Sequence, residues 1–504
     1  MRQYEMFELK LLGDAPAGSE ALVDVEAVFR NGGSSQTFRG FYDGDGVYKV
    51  RYLPGRTGTY TWKVSGAVSA EGTEECVASE SHGLVRTEDC HFVHEDGARY
   101  TPFGTTVYAL LHQKQELIDE TMETLRTAPF NKIRFCVFPK SYEYNHNEPD
   151  DFAFHKDAEG RWDVHHPDHA FWRRMEANIT RLAEMGIQSD LILFHAYDRW
   201  GLSKLTAEEN EVYLRYALRR LSAFPSVWWS MANEYELCFA KTLEDWYRFE
   251  EIIKEEDIYG HLLSNHYCVR PYDYSRESIT HLSLQNVLFH KADQWMSKYG
   301  KPVVFDECCY EGDISQPWGN ISAKEMTHRF WCACCLGAFA SHGETYLSDD
   351  EVLWWAKGGR LKGESPSRIA FLRGIIENLP SALEPWKEPE YLLAEGEMCG
   401  YPVDENHPIF ALLASLSEKE DDAGLLKDKV FAGRCGDNAF IKYFGRHCPR
   451  RPSLMLPENR TYKIEAIDTW NMARKTVMTG ASGATWVDLG AGTEGIALLA
   501  KAEF

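Results

Sequence analysis

The sequence predicts an α/β protein: a (β/α)8 TIM barrel flanked by N-terminal and C-terminal β-sandwich domains. Three observations carry this. Near residue 1 the chain reads as short alternating strands, near residue 100 it switches to apolar runs interleaved with amphipathic helices, and near residue 385 it returns to strands. A chain of 504 residues is too long for one core, so several domains are expected. The expected boundaries are 1–90 for the first sandwich, 91–385 for the barrel and 386–504 for the second sandwich.

The N-terminal sandwich rests on alternation. Residues 21–29, 37–42, 47–52 and 59–64 read as strands, separated by turns such as Asn31-Gly32-Gly33 and Asp43-Gly44-Asp45-Gly46. The second turn lacks the later ligands and closing Glu of a calcium loop, so it reads as a hairpin. In the barrel, strands are expected at 103–108, 132–138, 188–194, 227–232, 262–266, 280–285, 302–305 and 338–345. Helices are expected at 115–128, 168–185, 207–223, 243–256, 323–336 and 367–378. Eight strands with helices between them match the barrel in count and length. The connection 139–167 is long and rich in His, Asn, Asp and aromatics, as functional loops are. The C-terminal sandwich is expected to hold strands at 409–413, 439–444, 461–466, 486–489 and 496–500.

Bulk properties exclude several classes. A net charge of −23 argues against nucleic acid or an anionic membrane as partner, since both need a basic footprint. No apolar run approaches the roughly 20 residues of a membrane span, and the N-terminus has no signal-peptide pattern, so a cytoplasmic location is expected. Thirteen cysteines form no regular framework and read as buried thiols. Cys332 and Cys335 make a lone C-x-x-C in an apolar helical stretch, with no second pair to complete a zinc site. No phosphate-binding or serine-hydrolase motif occurs where a strand would need it. No metal or organic cofactor is expected. Whether the chain forms a homo-oligomer is left open.

The chemistry concentrates at strand ends. The apolar run Val227 to Ala232 ends on Asn233 and Glu234, and Pro302 to Phe305 ends on Asp306 and Glu307. In a barrel, the C-terminal ends of the strands form the mouth where chemistry is placed. Glu234 on the fourth strand and Glu307 on the seventh would face each other there. Two carboxyls, one protonated and one ionised, are what cleavage of a glycosidic bond requires. Asp306 should point away from the lumen by the two-residue strand period, and Glu236 is a further competitor. Arg134, His195, Asn233, His266 and Glu344 lie at other strand ends as substrate-binding candidates. Tyr108, His112, Trp200, Trp318, Trp354 and Trp355 are candidates for a sugar platform. Each has a bland reading: Arg134 as a core ion-pair partner, His195 as a structural histidine, Glu344 as a structural acid.

The barrel resembles the clan of retaining glycoside hydrolases that includes family 5 and β-galactosidases. There the acid/base follows an Asn at the end of the fourth strand and the nucleophile ends the seventh, positions occupied here by Glu234 and Glu307. Arg134 and His195 match the clan's usual helpers. The segments FYDGDGVYKVRYLPGRTGTYTW, GLVRTEDCHFVHEDGARYTPFGTTVYALLHQ and IEAIDTWNM resemble bacterial glycosidases with an N-terminal sandwich, an apiosidase-like barrel and a C-terminal sandwich. The resemblance implies a retaining glycosidase acting on oligosaccharides or glycosides, and two sandwiches that narrow the barrel mouth would favour exo-action. Tyr235 stands where the clan often has Pro, Leu284-Gln285-Asn286 replaces a Tyr on the sixth strand, and Glu344 stands near the place of a Trp on the eighth. The contrasting reading is a catalytically inactive carbohydrate-binding or scaffold protein on the same barrel.

Overall fold

The computed structural model describes residues 1–386, scattered positions between 397 and 415, and residues 430–503. Eight strands form one sheet: Phe103–Thr106 (β1), Lys132–Cys136 (β2), Gln188–His195 (β3), Val227–Asn233 (β4), Leu263–Ser264 (β5), Leu282–Gln285 (β6), Val303–Glu307 (β7) and Phe339–His342 (β8). Their order is β5-β4-β3-β2-β1-β8-β7-β6. The ladders from β1 through β5 and from β6 to β7 are parallel. An isolated parallel bridge between Tyr267 and Leu284, with Thr280 N donating to Leu263 O at 2.9 Å, nearly closes the barrel between β5 and β6. The strands are apolar without alternation because both faces are covered: every residue of β2, β3, β4 and β7 is buried.

The intervening helices follow their sequence signals. Gln115–Thr127 (α1), His169–Glu184 (α2), Ala207–Leu221 (α3) and Leu243–Glu256 (α4) alternate with the strands. Thr206 and Thr242 form capping boxes with Glu209 and Asp245 at the starts of α3 and α4, and Asp168 caps α2. Two further helices are Ala292–Tyr299 (α5), which the pattern did not predict, and Ala323–Cys335 (α6). The long loop after β2 carries an antiparallel hairpin of Phe154–Lys156 and Trp162–Pro167.

The described residues divide into two compact units. The first comprises Met1–Asn286, Tyr299–Asn320 and Ser341–Lys362; the second comprises Val287–Lys298, Ile321–Ala340 and Gly363–Phe504. In the first unit, a three-stranded and a four-stranded antiparallel sheet enclose an N-terminal core that includes Val25, Phe29, Val50, Tyr52, Tyr60 and Val64. Arg51 ties this sandwich to α2 through a two-pronged bond to Glu176 at 2.8 Å, and Glu176 also accepts from Arg220 of α3.

In the second unit, six antiparallel strands run in the order Glu384–Pro385, Phe431–Cys435, Ala439–Tyr443, Ile496–Ala502, Tyr462–Asp468, Ala473–Ala481. The expected strands near 439, 461 and 496 are among them; the strand expected at 409–413 falls, Ala411 apart, outside the described residues. This sheet packs on α6, where the Tyr443 hydroxyl meets His328 Nδ1 at 2.9 Å. No helix among the described residues is long and apolar enough to cross a membrane.

Candidate active site

The site lies within the first unit and grows from the floor of the barrel. Lys132 and Arg134 are two residues apart on β2, so both point into the lumen. They meet Asp190 of β3 and Asp306 of β7: Lys132 Nζ lies 2.6 and 2.7 Å from the two carboxylates, Arg134 3.3 and 3.1 Å. Two buried cations thus balance two buried anions, and Ser283 and Ser341 hydroxyls donate to Asp306 at 2.6 and 3.0 Å. Burial opposes ionisation of Asp306, yet Lys132 and Arg134 hold its carboxyl well below the usual range.

This corrects the expectation that Asp306 points out of the lumen. Leu284 pairs with Phe305 and Gln285 with Glu307, which leaves Asp306 as an extra residue on β7. The bulge breaks the two-residue period and lets consecutive acids both serve the interior.

Above this floor stands the acid pair. Glu307 ends β7 and accepts from the Tyr108 hydroxyl. The same hydroxyl meets Asn233 Oδ1 at 3.0 Å and the Tyr310 hydroxyl at 3.4 Å. Glu234 follows β4 in the left-handed region (φ 53°, ψ 62°), which is strained for a residue with a Cβ. Its N–H donates to His266 Nδ1 at 3.2 Å, and its carboxylate accepts from Tyr197 and, at 3.1 Å, from Asn233 Nδ2. His266 spans the pair, because its Nε2 lies 3.9 Å from Glu307 Oε1. One polar web therefore joins both carboxyls.

The electrostatics set the two acids against each other. Burial first, then the charge of Glu234, pushes the Glu307 carboxyl up to about 7, while Lys140, the Tyr108 hydroxyl and Arg134 pull it back. Burial, then Lys140, lowers His195 to about 4, and burial, then Arg134, keeps His266 far below its usual value; both are neutral. Lys140 is the nearby cation. Its ammonium sits 3.5 Å from the Tyr108 ring centre, 4.4 Å from Tyr197 and 5.0 Å from Trp355, a buried cation held against aromatic faces. Burial lowers its pKa against the pull of Cys136, Glu234 and Glu307.

The predicted residues divide clearly. Glu234, Glu307, Asn233, His266 and Tyr108 come together, and Arg134 reaches them through Asn233 Oδ1 at 3.4 Å. His195 stands beside Asn233 in the β3–β4 register, its Nε2 3.1 Å from Phe138 O. Trp318 packs 5.0 Å from Trp355 and joins Tyr142 and Tyr310 in the aromatic cluster around Tyr108. His112, Trp354 and Glu344 are not brought to the pair. His112 is buried against Phe171 with Nε2 on Val137 O, and Trp354 donates to Thr105 Oγ1 at 2.8 Å. Gly343 faces Tyr310, so strand alternation turns Glu344 the other way, where it accepts from Lys362 N at 2.5 Å. Glu236 is occupied in anchoring the loop after β5, accepting from the N–H groups of Cys268, Val269 and Arg270.

Sequence reasoning missed Lys140, Tyr197 and Tyr310. Each follows a strand end by two to four residues (Cys136, His195 and Glu307), and proximity to those ends was the one usable signal.

Residues 86–389 match the family described as apiosidase-like, catalytic domain. The chain belongs to this apiosidase-like family. Residues 1–67 and 428–493 match two domains of unknown function, DUF5060 and DUF5605. The apiosidase-like chain is similar along its whole length to the crystal structure of a candidate glycoside hydrolase from Bacteroides vulgatus, with 30% identity, a TM-score of 0.85, and coverage of 100% of this chain and 99% of that one. A family 5 glycoside hydrolase from the same organism matches at 13% identity and a TM-score of 0.58, covering 83% of this chain and 93% of that one. That second likeness shows the fold alone: a family 5-like barrel with flanking domains. No curated protein sequence matches the chain.

Proposed function

We propose that this chain is a retaining glycoside hydrolase in which Glu234 is the general acid/base and Glu307 the nucleophile. The observation that carries the reading is the pair itself: two buried glutamates at the ends of β4 and β7, bridged by Tyr108, Asn233 and His266. Two carboxyls facing each other out of water are the arrangement that can supply one acid and one carboxylate.

In the first step Glu234 donates its proton to the glycosidic oxygen and Glu307 attacks the anomeric carbon, forming a glycosyl-enzyme as the leaving group departs. In the second, Glu234 takes a proton from water, whose oxygen displaces Glu307. The Tyr108 hydroxyl holds Glu307 as the carboxylate, and the Lys140 ammonium favours the same form. Tyr197 and Asn233 orient Glu234. The rings of Trp318, Trp355 and Tyr142 offer apolar faces for a sugar at the mouth, and their crowding there favours exo-action on short oligosaccharides or glycosides.

The test is a panel of aryl glycosides, pentosides and apiosides included, with wild type, Glu234→Ala and Glu307→Ala. Wild type should release the aglycone and both variants should lose turnover. Azide should rescue Glu234→Ala to a glycosyl azide of retained configuration and Glu307→Ala to one of inverted configuration. Near-normal turnover by Glu307→Ala would sink the assignment. Sugar binding unaffected by Glu307→Gln, with no product from any oligosaccharide, would instead establish an inert binding protein.

A further inference from the structure

Two polar groups beside the acid pair keep hydrogen-bonding capacity that the fold does not use. One is Gln285, which ends β6 directly opposite Glu307 in the β6–β7 register. Ser283, two residues earlier, turns its hydroxyl into the lumen, where it donates to Asp306 and accepts from Arg134. The extra residue at this point lies on β7, so β6 keeps its two-residue period. Gln285 is therefore aimed into the lumen one layer above Ser283, at the level of Glu307. Its Oε1 is buried and meets no hydrogen-bond donor among the described residues.

The other is Lys140, which is only 5% exposed. Among the described residues its ammonium is held by ring faces alone, those of Tyr108, Tyr142, Tyr197 and Trp355. Ring faces attract the charge but accept no directed N–H···O bond, so its donors remain unspent. The hydroxyls of two of these rings serve the acids themselves, Tyr108 on Glu307 and Tyr197 on Glu234. In the ring of eight strands β2 and β6 stand four apart. Lys140, from the loop after β2, and Gln285 thus reach the acid pair from opposite sides of the mouth.

We infer that Gln285 and Lys140 recognise the glycone, and that the glycone is a neutral sugar offering two adjacent hydroxyls to the Gln285 amide and a third oxygen to the Lys140 ammonium. The inference rests on Glu234 and Glu307 being the reacting pair. A planar amide with an acceptor and donors side by side matches a vicinal diol: one hydroxyl donates to Oε1 and its neighbour accepts from Nε2. Charge decides against an acidic sugar. The barrel floor is balanced, with Lys132 and Arg134 against Asp190 and Asp306, and above it the single ammonium of Lys140 stands among two glutamates. A uronate would add one more anion to a buried excess of acids.

The experiment compares wild type with Gln285→Leu. Binding needs no turnover: galactose, glucose, xylose, arabinose and apiose, with galacturonate and glucuronate beside them, are followed by saturation-transfer NMR. At least one neutral sugar should bind, neither uronate should bind better than its neutral counterpart, and Gln285→Leu should weaken binding by about 10-fold or more. The buried Oε1 gives up no bond when Leu replaces it, so the Tm of Gln285→Leu should equal or exceed that of wild type. On the best aryl glycoside of the panel, kcat/KM should fall about 100-fold in Gln285→Leu, and analogues lacking either hydroxyl should be cleaved equally by both proteins. Undiminished binding and turnover in Gln285→Leu, a uronate bound in preference, or a Tm lowered by about 5 °C would each overturn the inference. Sugar binding that depends on Gln285 without hydrolysis would support it and count against the catalytic reading. Hydrolysis indifferent to Gln285 would do the reverse, and neither binding nor hydrolysis of any sugar would overturn both.

Discussion

Replacing Glu307 by Gln should stabilise the protein, and only above a definite pH. Glu307 is buried, and its carboxyl is raised from the ordinary 4.5 to about 7. Because the folded value lies above the unfolded one, the unfolded chain gives up this proton first as pH rises. The stability contributed by the protonated form is complete below about pH 4.5 and is lost as pH climbs through 7. The difference between 7 and 4.5 corresponds to about 3 kcal/mol at 1.36 kcal/mol per pH unit.

Gln keeps the shape and has no proton to lose. The Tm of Glu307→Gln minus that of wild type should therefore be small at pH 4.5, grow between pH 5 and 7, and level off near 5 °C, on the order expected for that energy. Scanning calorimetry at half-unit pH steps reads this directly and needs no substrate. Curves that stay parallel from pH 5 to 8 would refute the claim that the ionised Glu307 is a strained, function-driven charge. A gap that widened toward acid would reverse its sign.

Three further outcomes follow from the same geometry. In Lys140→Met the acid limb of kcat/KM, set near 7 by Glu307, should move upward. The charge of Lys140 pulls the Glu307 carboxyl down, and losing one nearby buried cation, with water partly filling its place, should move the limb by about one pH unit. Lys140→Arg should leave the limb near its original place, and an unchanged limb in Lys140→Met would remove Lys140 from the account. Tyr197→Phe should lower kcat by about 10- to 100-fold with little change in KM, since it takes a donor from Glu234 without touching the aromatic mouth; an unaltered kcat would count against Glu234 as acid/base. Lys132→Met should destabilise the barrel by about 3–5 kcal/mol, because Arg134 would then face Asp190 and Asp306 alone, and a chemical-denaturation midpoint equal to wild type would contradict the buried charge balance.

The sequence alone determined the architecture and the two strand ends on which Glu234 and Glu307 stand, for a physical reason. A strand covered on both faces must be a short apolar run, and a run that stops abruptly on Asn233–Glu234 or Asp306–Glu307 marks where the sheet meets solvent. The alternation of such runs with capped amphipathic segments spells out the barrel, and covering layers at both ends are visible as alternating strands. What the sequence could not decide depends on contacts between distant segments. Lys140, Tyr197 and Tyr310 lie on loops, which have no period to read, and they matter because folding brings them against Glu234 and Glu307. The inward turn of Asp306 depends on a bulge set by the register with β6, against its own strand's alternation. The choice between Trp354 and Trp355 depends on a short helical turn that aims Trp355 at Tyr108 and Trp354 at Thr105. Glu344 looked like one more acid at a strand end; it is the tertiary structure that turns it away from the acid pair, to the Lys362 N–H.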